Sequence, residues 1–236
     1  MTRRRWIADR VEGDHAYLLG PNAAHLFRVL RARAGQQFDV AANGVLRRGT
    51  IVEAAIDRVQ FQLGEEVESA ALPHVTVYLS IFKFDRFEWG LEKLTELGVS
   101  SMVAVVAQRT EQHLARAAEK RMERWRKLAR EAAQQSRRIA PPEIAGPLTL
   151  AQAIAGERAQ RIVLSEEEER TSLKSLVAGS KAPLALAFGP EGGWSPPELA
   201  AFHDNAWQAA SLGPTILRAE TAAIAAVAVA MAELGG

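Results

Sequence analysis

The sequence contains no cysteine in its 236 residues. Disulfide bonds and thiolate metal sites are therefore excluded, and the composition fits the reducing interior of a cell. Long apolar runs are also missing, because the longest, Thr221 to Ala232, is shorter than the roughly 20 residues that span a bilayer. The N-terminal residues are charged and lack the apolar stretch of a secretory signal. These absences predict a soluble, cytoplasmic protein with no membrane partner.

Several common catalytic and cofactor motifs are absent. The chain has no phosphate-binding G-x-x-x-x-G-K-[ST], no early G-x-G-x-x-G, no H-E-x-x-H and no G-x-S-x-G. The five histidines lack the spacing of metal ligands, so no metal is expected. A formal net charge of +1 does not by itself indicate a nucleic-acid partner, and the distribution of charge has to be considered instead.

Residues 1–71 predict a small β-barrel with one helix. Asn43-Gly44 is a strong hairpin signal, because both residues tolerate the positive φ of a type I′ turn. The helix is expected from Asn22 to Leu30, with Asn22 as its N-cap. A polar segment that ends at Pro73 marks a boundary, so a second domain is assigned to residues 72–236.

The second domain alternates strands with helices. The expected strands are Val75–Phe82, Val99–Ala107, Arg161–Leu164, Leu184–Phe188 and Ala209–Leu212. Capping-box patterns predict helices that begin at Asp85 and Ser195, a long helix covers Thr110 to Ser136, and a last helix begins near Glu220. Gly98 is expected to end the helix that starts at Asp85. This alternation predicts an α/β fold with a parallel sheet covered by helices.

A glycine-rich loop, Phe188-Gly189-Pro190-Glu191-Gly192-Gly193-Trp194, lies between an apolar strand and a capped helix. Missing Cβ atoms let a ligand approach the backbone, and open α/β sheets bind ligands at the carboxyl ends of their strands. A tight turn without a ligand explains this loop equally well when it is taken alone. The acidic run Glu166–Glu169, also after a strand, is most simply a solvated loop.

A second polar segment, Ser211 to Thr221, follows another strand and opens the last helix with Arg218 and Glu220. These side chains could serve a site at the sheet edge. The simpler interpretation is that Glu220 complements the helix N-terminus and that Arg218 pairs with it.

The positive charge is concentrated in one long helix. From Lys120 to Arg138 there are eight basic and two acidic residues, which leaves +6 in a chain whose total is +1. Such a run is usually a solvated helix face. A second basic cluster, formed by Arg3, Arg4 and Arg5 with Arg28, Arg31 and Arg33, favours a phosphate-binding surface.

Several segments of the sequence resemble the motifs of one known family. The Gly189–Gly193 run, Leu212-Gly213 and Ile216–Ala222 together resemble the C-terminal signature of the RsmE family, ribosomal RNA uridine N3-methyltransferases of the SPOUT superfamily. Four upstream segments are similar to the family's motifs: Lys93–Val99, Gln108–Thr110, Glu131–Arg138 and His25–Arg31. The departures are Phe84 where glycine is common and Ala219 where threonine is usual.

The resemblance implies an N-terminal PUA-like β-barrel that binds RNA, a C-terminal SPOUT domain with a trefoil knot, and a homodimer. It implies N3-methylation of a specific uridine in the decoding region of 16S ribosomal RNA in the small subunit, with S-adenosylmethionine as donor. The implied cofactor-binding residues are Leu164, Gly189, Pro190, Glu191, Gly192, Gly193, Leu212, Gly213, Ile216, Leu217 and Thr221.

The implied reaction also suggests catalytic roles. N3 of uridine must lose a proton, so Arg218 is expected to stabilise the anionic base, and Glu220 or Glu191 to accept the proton. The candidate RNA-binding residues are Arg3, Arg4, Arg5, Arg28, Lys83, Arg86, Lys93, Arg109, Arg124, Gln134, Arg137 and Arg138.

Two other functions remain open from sequence. A SPOUT enzyme that modifies another RNA, such as a transfer RNA ribose 2′-hydroxyl, would share the fold and the cofactor. A non-catalytic RNA-binding or ribosome assembly factor would need only the basic surfaces, and the intact glycine loop argues against it.

Overall fold

The computed structural model describes residues 5–155, 159–180 and 183–235. These form two compact units. The first contains the chain up to Ala71 together with Ala133–Pro141, and the second contains Leu72–Ala132 and the chain from Pro142 onward. The division after Ala71 falls where the sequence placed the domain boundary. The segment Ala133–Pro141, expected in the second domain, belongs to the first.

The first unit is built on one six-stranded sheet. Its strands are β1 Arg5–Ile7, β2 Arg10–Glu12, β3 His15–Leu19, β4 Gln37–Ala42, β5 Val45–Ala54 and β6 Arg58–Glu66. Their order is β1-β4-β5-β6-β3-β2, and every pair is antiparallel except β1 with β4. The turn between β4 and β5 has φ of 50° at Asn43 and 79° at Gly44, which confirms the predicted hairpin.

The helix of this unit, α1, spans Gly20–Arg28 and starts earlier than predicted. Its N-cap is Leu19, and no side chain caps it, so the expected role of Asn22 is wrong. Pro21 lies in the first turn, where a missing N–H costs nothing, and the helix therefore begins ahead of Asn22. Leu26 is fully buried and packs in a core that includes Phe61.

Hydrogen bonds explain why Ala133–Pro141 joins the first unit. The Gln134 side chain accepts from the Ile7 N–H at 2.7 Å and donates to the Arg5 carbonyl at 2.7 Å. The Arg5 guanidinium donates to the Arg137 carbonyl. One glutamine thus satisfies two backbone groups on the free edge of β1, as a neighbouring strand would.

The second unit is an α/β fold around a sheet in which all pairs are parallel. Its strands are β7 Val75–Ser80, β8 Ser101–Val106, β9 Glu143–Thr149, β10 Gln160–Leu164, β11 Leu184–Phe188 and β12 Gln208–Ala210. Their order is β12-β10-β11-β7-β8-β9, which confirms the predicted parallel sheet. β9 was not predicted, because its Gly146-Pro147 pair is typical of a loop. Proline is tolerated there because β9 is an edge strand.

The helices of this unit pack on both faces of the sheet. They are α2 Phe84–Glu96, α3 Gln112–Ala118, α4 Met122–Gln135, α5 Leu150–Ile154, α6 Leu173–Val177, α7 Pro196–Asp204 and α8 Ala219–Leu234. One apolar cluster joins Val77 and Leu79 of the sheet to α2, α4, α6 and α8. The other joins Tyr78 and Ala187 to α5 and α7. The single helix expected from Thr110 to Ser136 is instead α3, a 3-10 turn and α4, and α4 ends in the first unit.

Of the three helix-end predictions made at Asp85, Gly98 and Ser195 in the second unit, two are confirmed. Ser195 caps α7 with Glu198 in a reciprocal capping box, and Gly98 follows α2 with φ of 99°. The capping box at Asp85 is wrong, because α2 begins at Phe84 after Lys83 and has no side-chain cap. The intended partner, Glu88, accepts hydrogen bonds from two arginines of the later helical segment instead. Both partners of these bonds are charged, whereas a capping bond would pair the Glu88 carboxylate with a neutral backbone N–H.

Candidate functional site

Three loops at the carboxyl ends of β10, β11 and β12 enclose a cavity of about 830 Å³ within the second unit. The last residues of these strands, Leu164, Phe188 and Ala210, form its buried apolar floor. Ala219 and Ala222 of α8 complete the wall. The volume is typical of a small-molecule site, and the location is the one that open α/β sheets use for ligands.

The glycine-rich loop is shaped by contacts within the loop itself. A Cβ atom on Gly189 would lie 3.2 Å from the carbonyl carbon of Gly193, so the two ends of the loop meet only because Gly189 has no side chain. Gly193 has φ of 69°, a left-handed conformation that favours glycine. The Trp194 indole donates to the Leu164 carbonyl at 3.2 Å and ties the loop to β10. Both glycines and Pro190 and Glu191 line the cavity.

Gly192 has a different role, because it lies against Arg109 and does not line the cavity. A Cβ atom there would lie 3.3 Å from Cδ of Arg109, whose guanidinium donates to the Gly192 carbonyl. In this structure Gly192, a predicted cofactor-binding residue, makes room for the Arg109 side chain. Arg109, expected on RNA, braces the glycine-rich loop.

The turn that carries Arg109 is anchored on both sides. The Gln108 N–H donates to the Glu198 carboxylate at 2.7 Å, and the Thr110 hydroxyl donates to the Ile81 carbonyl at 3.1 Å. Glu198 is buried and also accepts from the Ser195 N–H at 2.8 Å. One carboxylate thus connects this turn to the N-terminus of α7.

The third loop runs beside the chain that follows β10. The Ser211 N–H donates to the Thr171 carbonyl at 2.9 Å, and the Leu173 N–H donates to the Ser211 carbonyl at 2.9 Å. The predicted cofactor residues of this segment line the cavity: Leu212, Gly213, Ile216 and Leu217. Thr221 does not, because Ala219 and Ala222 occupy the cavity side of α8 and Thr221 is exposed.

The charged residues that line the cavity are mostly acidic. The carboxylates are Glu166, Glu167, Glu168, Glu169 and Glu191, and the guanidinium groups are Arg86, Arg170 and Arg218. Five acids against three bases make the lining net negative, which favours a cationic ligand. Glu166, Glu167 and Glu169 are exposed, as expected for a solvated loop. The run also lines the cavity, because it directly follows a strand of the parallel sheet.

Glu168 has a structural part in this wall. Its carboxylate accepts hydrogen bonds from the Arg170 and Thr171 N–H groups, each at 2.8 Å. The hydrogen bond from the Thr171 N–H is the main cause that holds the pKa of Glu168 below its usual value, and the bond from the Arg170 N–H adds to it. The loop after β10 is therefore folded around an ionised side chain.

The three catalytic candidates differ in their access to the cavity. Arg218 lines the cavity as the exposed N-cap residue of α8 and forms no ion pair with a described residue. Glu191 also lines the cavity, with Oε1 3.9 Å from Nη1 of Arg86. Glu220 is only 5% exposed and is not part of the lining. Its Oε1 lies 3.9 Å from Nε of Arg86, so the interpretation that it pairs with Arg218 is wrong.

Several candidate RNA-binding residues are engaged within the chain. Lys93 donates to Glu92 at 2.8 Å and to Glu96 at 2.7 Å, and these hydrogen bonds raise its pKa. Arg124 donates to both carboxylate oxygens of Glu88 at 2.9 Å, and Arg86 lines the cavity. Their charges are largely neutralised by acids that lie beside them.

The remaining RNA candidates are placed differently. Arg28, Lys83 and Arg137 are exposed. Gln134 is engaged with β1 as described above, and Arg5 donates to the Arg137 carbonyl. Burial lowers the pKa of Arg138. Arg3 and Arg4 lie outside the described residues.

The described ranges contain neither a metal site nor a membrane-spanning helix. No group of three or more His, Asp or Glu side chains there is arranged to hold a metal ion. No helix in the same ranges is both long enough and apolar enough to cross a bilayer.

Comparisons with known proteins agree with this architecture. Residues 69–231 match the RNA methyltransferase domain family. The ribosomal RNA small subunit methyltransferase E of Mycobacterium bovis is 34% identical over 224 residues, which cover 91% of this chain and 85% of that protein. Its Bacillus subtilis counterpart is 30% identical, with 89% and 87% covered.

A crystal structure of the methyltransferase E from Neisseria gonorrhoeae, bound to S-adenosylmethionine, superposes with a TM-score of 0.82 at 25% identity and covers 96% of both chains. The sequence matches extend over both units, and the structural match covers nearly the whole chain. The chain therefore belongs to the RNA methyltransferase domain family and, within it, to the ribosomal RNA small subunit methyltransferases E.

Proposed function

We propose that this protein transfers a methyl group from S-adenosylmethionine to N3 of a uridine in 16S ribosomal RNA of the small subunit. The observation that carries the proposal is the cavity at the ends of β10, β11 and β12, closed by the glycine-rich loop, in a chain of this family. The relatives' name supports the substrate, and the complex from Neisseria gonorrhoeae supports the donor.

The residues present fit this donor. Leu164, Leu212 and Leu217 offer apolar surface for an adenine ring, and the glycine-rich loop exposes backbone groups beside them. When bound, S-adenosylmethionine supplies a methyl group on a positively charged sulfonium. The net negative lining stabilises that charge and the ammonium group of the ligand.

Arg218 and Glu191 are the groups that can meet the acceptor base. N3 of uridine is occupied in base pairing, so the base must be unpaired or flipped out to enter the cavity. Arg218, free of partners in the described chain, can stabilise negative charge on the uracil oxygens. Glu191 can accept the N3 proton. Its Oε1 lies at the cavity wall, 3.9 Å from Nη1 of Arg86. Glu220 lies beside Arg86 and outside the cavity lining, so it is a less suitable base than Glu191.

We further propose the SPOUT trefoil knot for the second unit and a PUA-like barrel for the first. The chain leaves β12 at the sheet edge, runs beside Thr171–Leu173, and continues into α8, which packs against α2, α6 and β11. A path that passes a loop in this way supports a threaded chain, a rare exception to unknotted folding. The mainly antiparallel sheet of the first unit supports the barrel. An experimental structure traced through residues 165–173 and 211–219 tests the knot.

A homodimer is the third part of the proposal. The outer side of α8 leaves Ile224, Ala225, Ala228 and Val229 wholly or partly exposed, and their spacing places them on one stripe. Ala225 and Ala228 let a second helix approach closely, and Ile224 and Val229 offer apolar surface, so this stripe suits a self-complementary interface.

Calorimetric titration with S-adenosylmethionine tests the cofactor site. Ala222→Phe places a large ring in the cavity and should abolish micromolar binding, whereas Ala200→Phe, on an exposed position of α7, should not. Binding that survives Ala222→Phe would show that the donor binds elsewhere.

Methyl transfer to small-subunit RNA, followed by digestion and nucleoside analysis, tests the reaction. We expect N3-methyluridine. A methyl group on a ribose 2′-oxygen would instead support the alternative SPOUT activity, and RNA binding without any transfer would support an assembly factor.

A further inference from the structure

Within the described ranges, four residues other than glycine adopt a left-handed backbone: Arg31, Asn43, Arg137 and Ala206, with φ of 50°, 50°, 60° and 58°. This conformation costs free energy for side chains other than those of glycine and, to a lesser degree, asparagine. The hairpin accounts for Asn43. Both arginines lie in the first unit, and each follows a helix.

Arg137 occupies the helix-end position where glycine is most common. The Arg138 N–H donates to the Ala133 carbonyl at 2.9 Å, and the Arg137 N–H donates to the Gln134 carbonyl at 3.4 Å. This pair of bonds defines a Schellman-type end for α4, with Arg137 as its left-handed residue. Glycine would satisfy the same backbone geometry without the steric cost.

Arg31 has a similar place after α1, in a turn closed by the Ala32 N–H, which donates to the Leu26 carbonyl at 3.1 Å. The side chains of Arg31 and Arg137 are exposed and form no ion pair with a described residue. These side chains make no ion pair that stabilises the fold, although their backbone conformation favours glycine. Because the strained conformation is not explained by such a contact, we infer that each side chain has a role in binding.

The surroundings of Arg31 indicate what it binds. Phe27 is 39% exposed and Val29 is 64% exposed, and Arg28 and Arg33 are exposed beside them. The chain has no acidic residue between Asp14 and Asp39. Exposed apolar and aromatic surface interleaved with cations is suited to unpaired nucleotides, whose bases stack on rings while their phosphates meet arginines. A duplex would use the cations alone.

We propose that the Phe27–Arg33 segment is a docking surface for unpaired RNA, with Phe27 stacked on a base and Arg28, Arg31 and Arg33 on phosphates. Arg137 supplies a further phosphate contact by the same argument. We identify the bound RNA as the strand that carries the target uridine, and this identification rests on the proposed function. The surface itself is inferred from backbone conformation, exposure and charge.

The test uses fluorescence anisotropy with an unstructured RNA oligonucleotide and a duplex of the same length. Arg31→Gly and Arg137→Gly should each weaken binding of the unpaired RNA about fivefold or more and reduce the salt slope by about one. Each should leave Tm unchanged or raise it by up to about 3 °C, because the backbone strain is relieved.

Ala206→Gly is the matched control for the backbone change. It relieves the same conformation in the second unit and should leave RNA affinity unchanged. Wild-type RNA affinity in Arg31→Gly would overturn the proposal. A fall in Tm that accompanies the loss of affinity would also overturn it, because it would show that Arg31 serves the fold.

Phe27→Ala separates unpaired from paired RNA. It should weaken binding of the oligonucleotide about five- to tenfold and leave duplex binding unchanged. Val52→Ala, which truncates another exposed residue of the first unit, is its control. Equal losses for oligonucleotide and duplex would overturn the stacking role of Phe27.

Turnover distinguishes failure of this proposal from failure of the proposed function. Arg31→Gly should raise KM for RNA and leave kcat and S-adenosylmethionine affinity unchanged. Normal turnover with an unchanged KM would reject the surface and keep the function. RNA binding that depends on Arg31, in a protein that transfers no methyl group, would support the docking surface and reject the proposed function.

Discussion

Individual side chains around the cavity either face its interior or hold the loops that do. Arg218 and Glu191 face the interior, whereas Arg109 lies behind the glycine-rich loop on the carbonyl of Gly192. Arg86 does both, because it lines the cavity and lies 3.9 Å from the carboxylates of Glu191 and Glu220. This division predicts different effects for substitutions that sequence alone would group together.

Arg109→Ala should weaken S-adenosylmethionine binding about tenfold, because the loop loses a charge-assisted hydrogen bond. RNA affinity should keep its wild-type salt slope. Calorimetry and anisotropy measure the two effects, with Arg116→Ala, an exposed arginine of α3, as the control. Unchanged cofactor affinity with a reduced salt slope would return Arg109 to the RNA-binding set.

Glu191→Gln and Glu220→Gln should separate the two proton-acceptor candidates. Loss of a general base lowers kcat by about 100-fold or more, and we expect this for Glu191→Gln. Glu220→Gln should lower kcat much less, because its carboxylate is buried outside the cavity lining. Single-turnover methylation at saturating substrates is the measurement, and the opposite ranking would assign the proton to Glu220.

Among the elements, α7 connects the glycine-rich loop to the turn that follows β8. Its capping box uses Glu198, and the same carboxylate accepts from the N–H of Gln108. The cap of one helix therefore also fixes the turn that positions Arg109. A change at this helix end should be felt both in stability and in the glycine-rich loop.

Ser195→Ala should lower the free energy of unfolding by about 1 kcal/mol, the usual effect of a lost N-cap. Glu198→Ala should lower it by about 2 kcal/mol or more, because it also leaves the Gln108 N–H without its partner. Urea unfolding measures both variants. Equal effects would show that the bond to Gln108 contributes nothing.

At the scale of the whole molecule, the exposed stripe of α8 is tied to the proposed dimer. Ala228→Glu places a charge at its centre and should convert a dimer to a monomer without altering the far-ultraviolet circular dichroism spectrum. Sedimentation velocity over a range of concentrations tests this, with Ala200→Glu on α7 as the control. A wild-type protein that sediments as a monomer would contradict the dimer.

Local sequence was sufficient to predict elements whose signals lie within a few residues. The Asn43-Gly44 hairpin, the capping box at Ser195 and the strand Leu184–Phe188 are examples, because turn geometry, capping and a run of apolar side chains are short-range properties. The edge strand β9 escaped prediction because its Gly146-Pro147 pair has the composition of a loop.

What sequence alone determined was the pattern of strands and helices and the set of chemical groups available at the strand ends. Only the tertiary structure decided which of those groups are free. Arg124 and Glu88 are 36 residues apart, and they neutralise each other only because the helices that carry them pack together. In the same way, tertiary packing places Arg109 on the carbonyl of Gly192 and buries Glu220 beside Arg86. Pairing of charges depends on distances between remote segments, which local propensities do not specify.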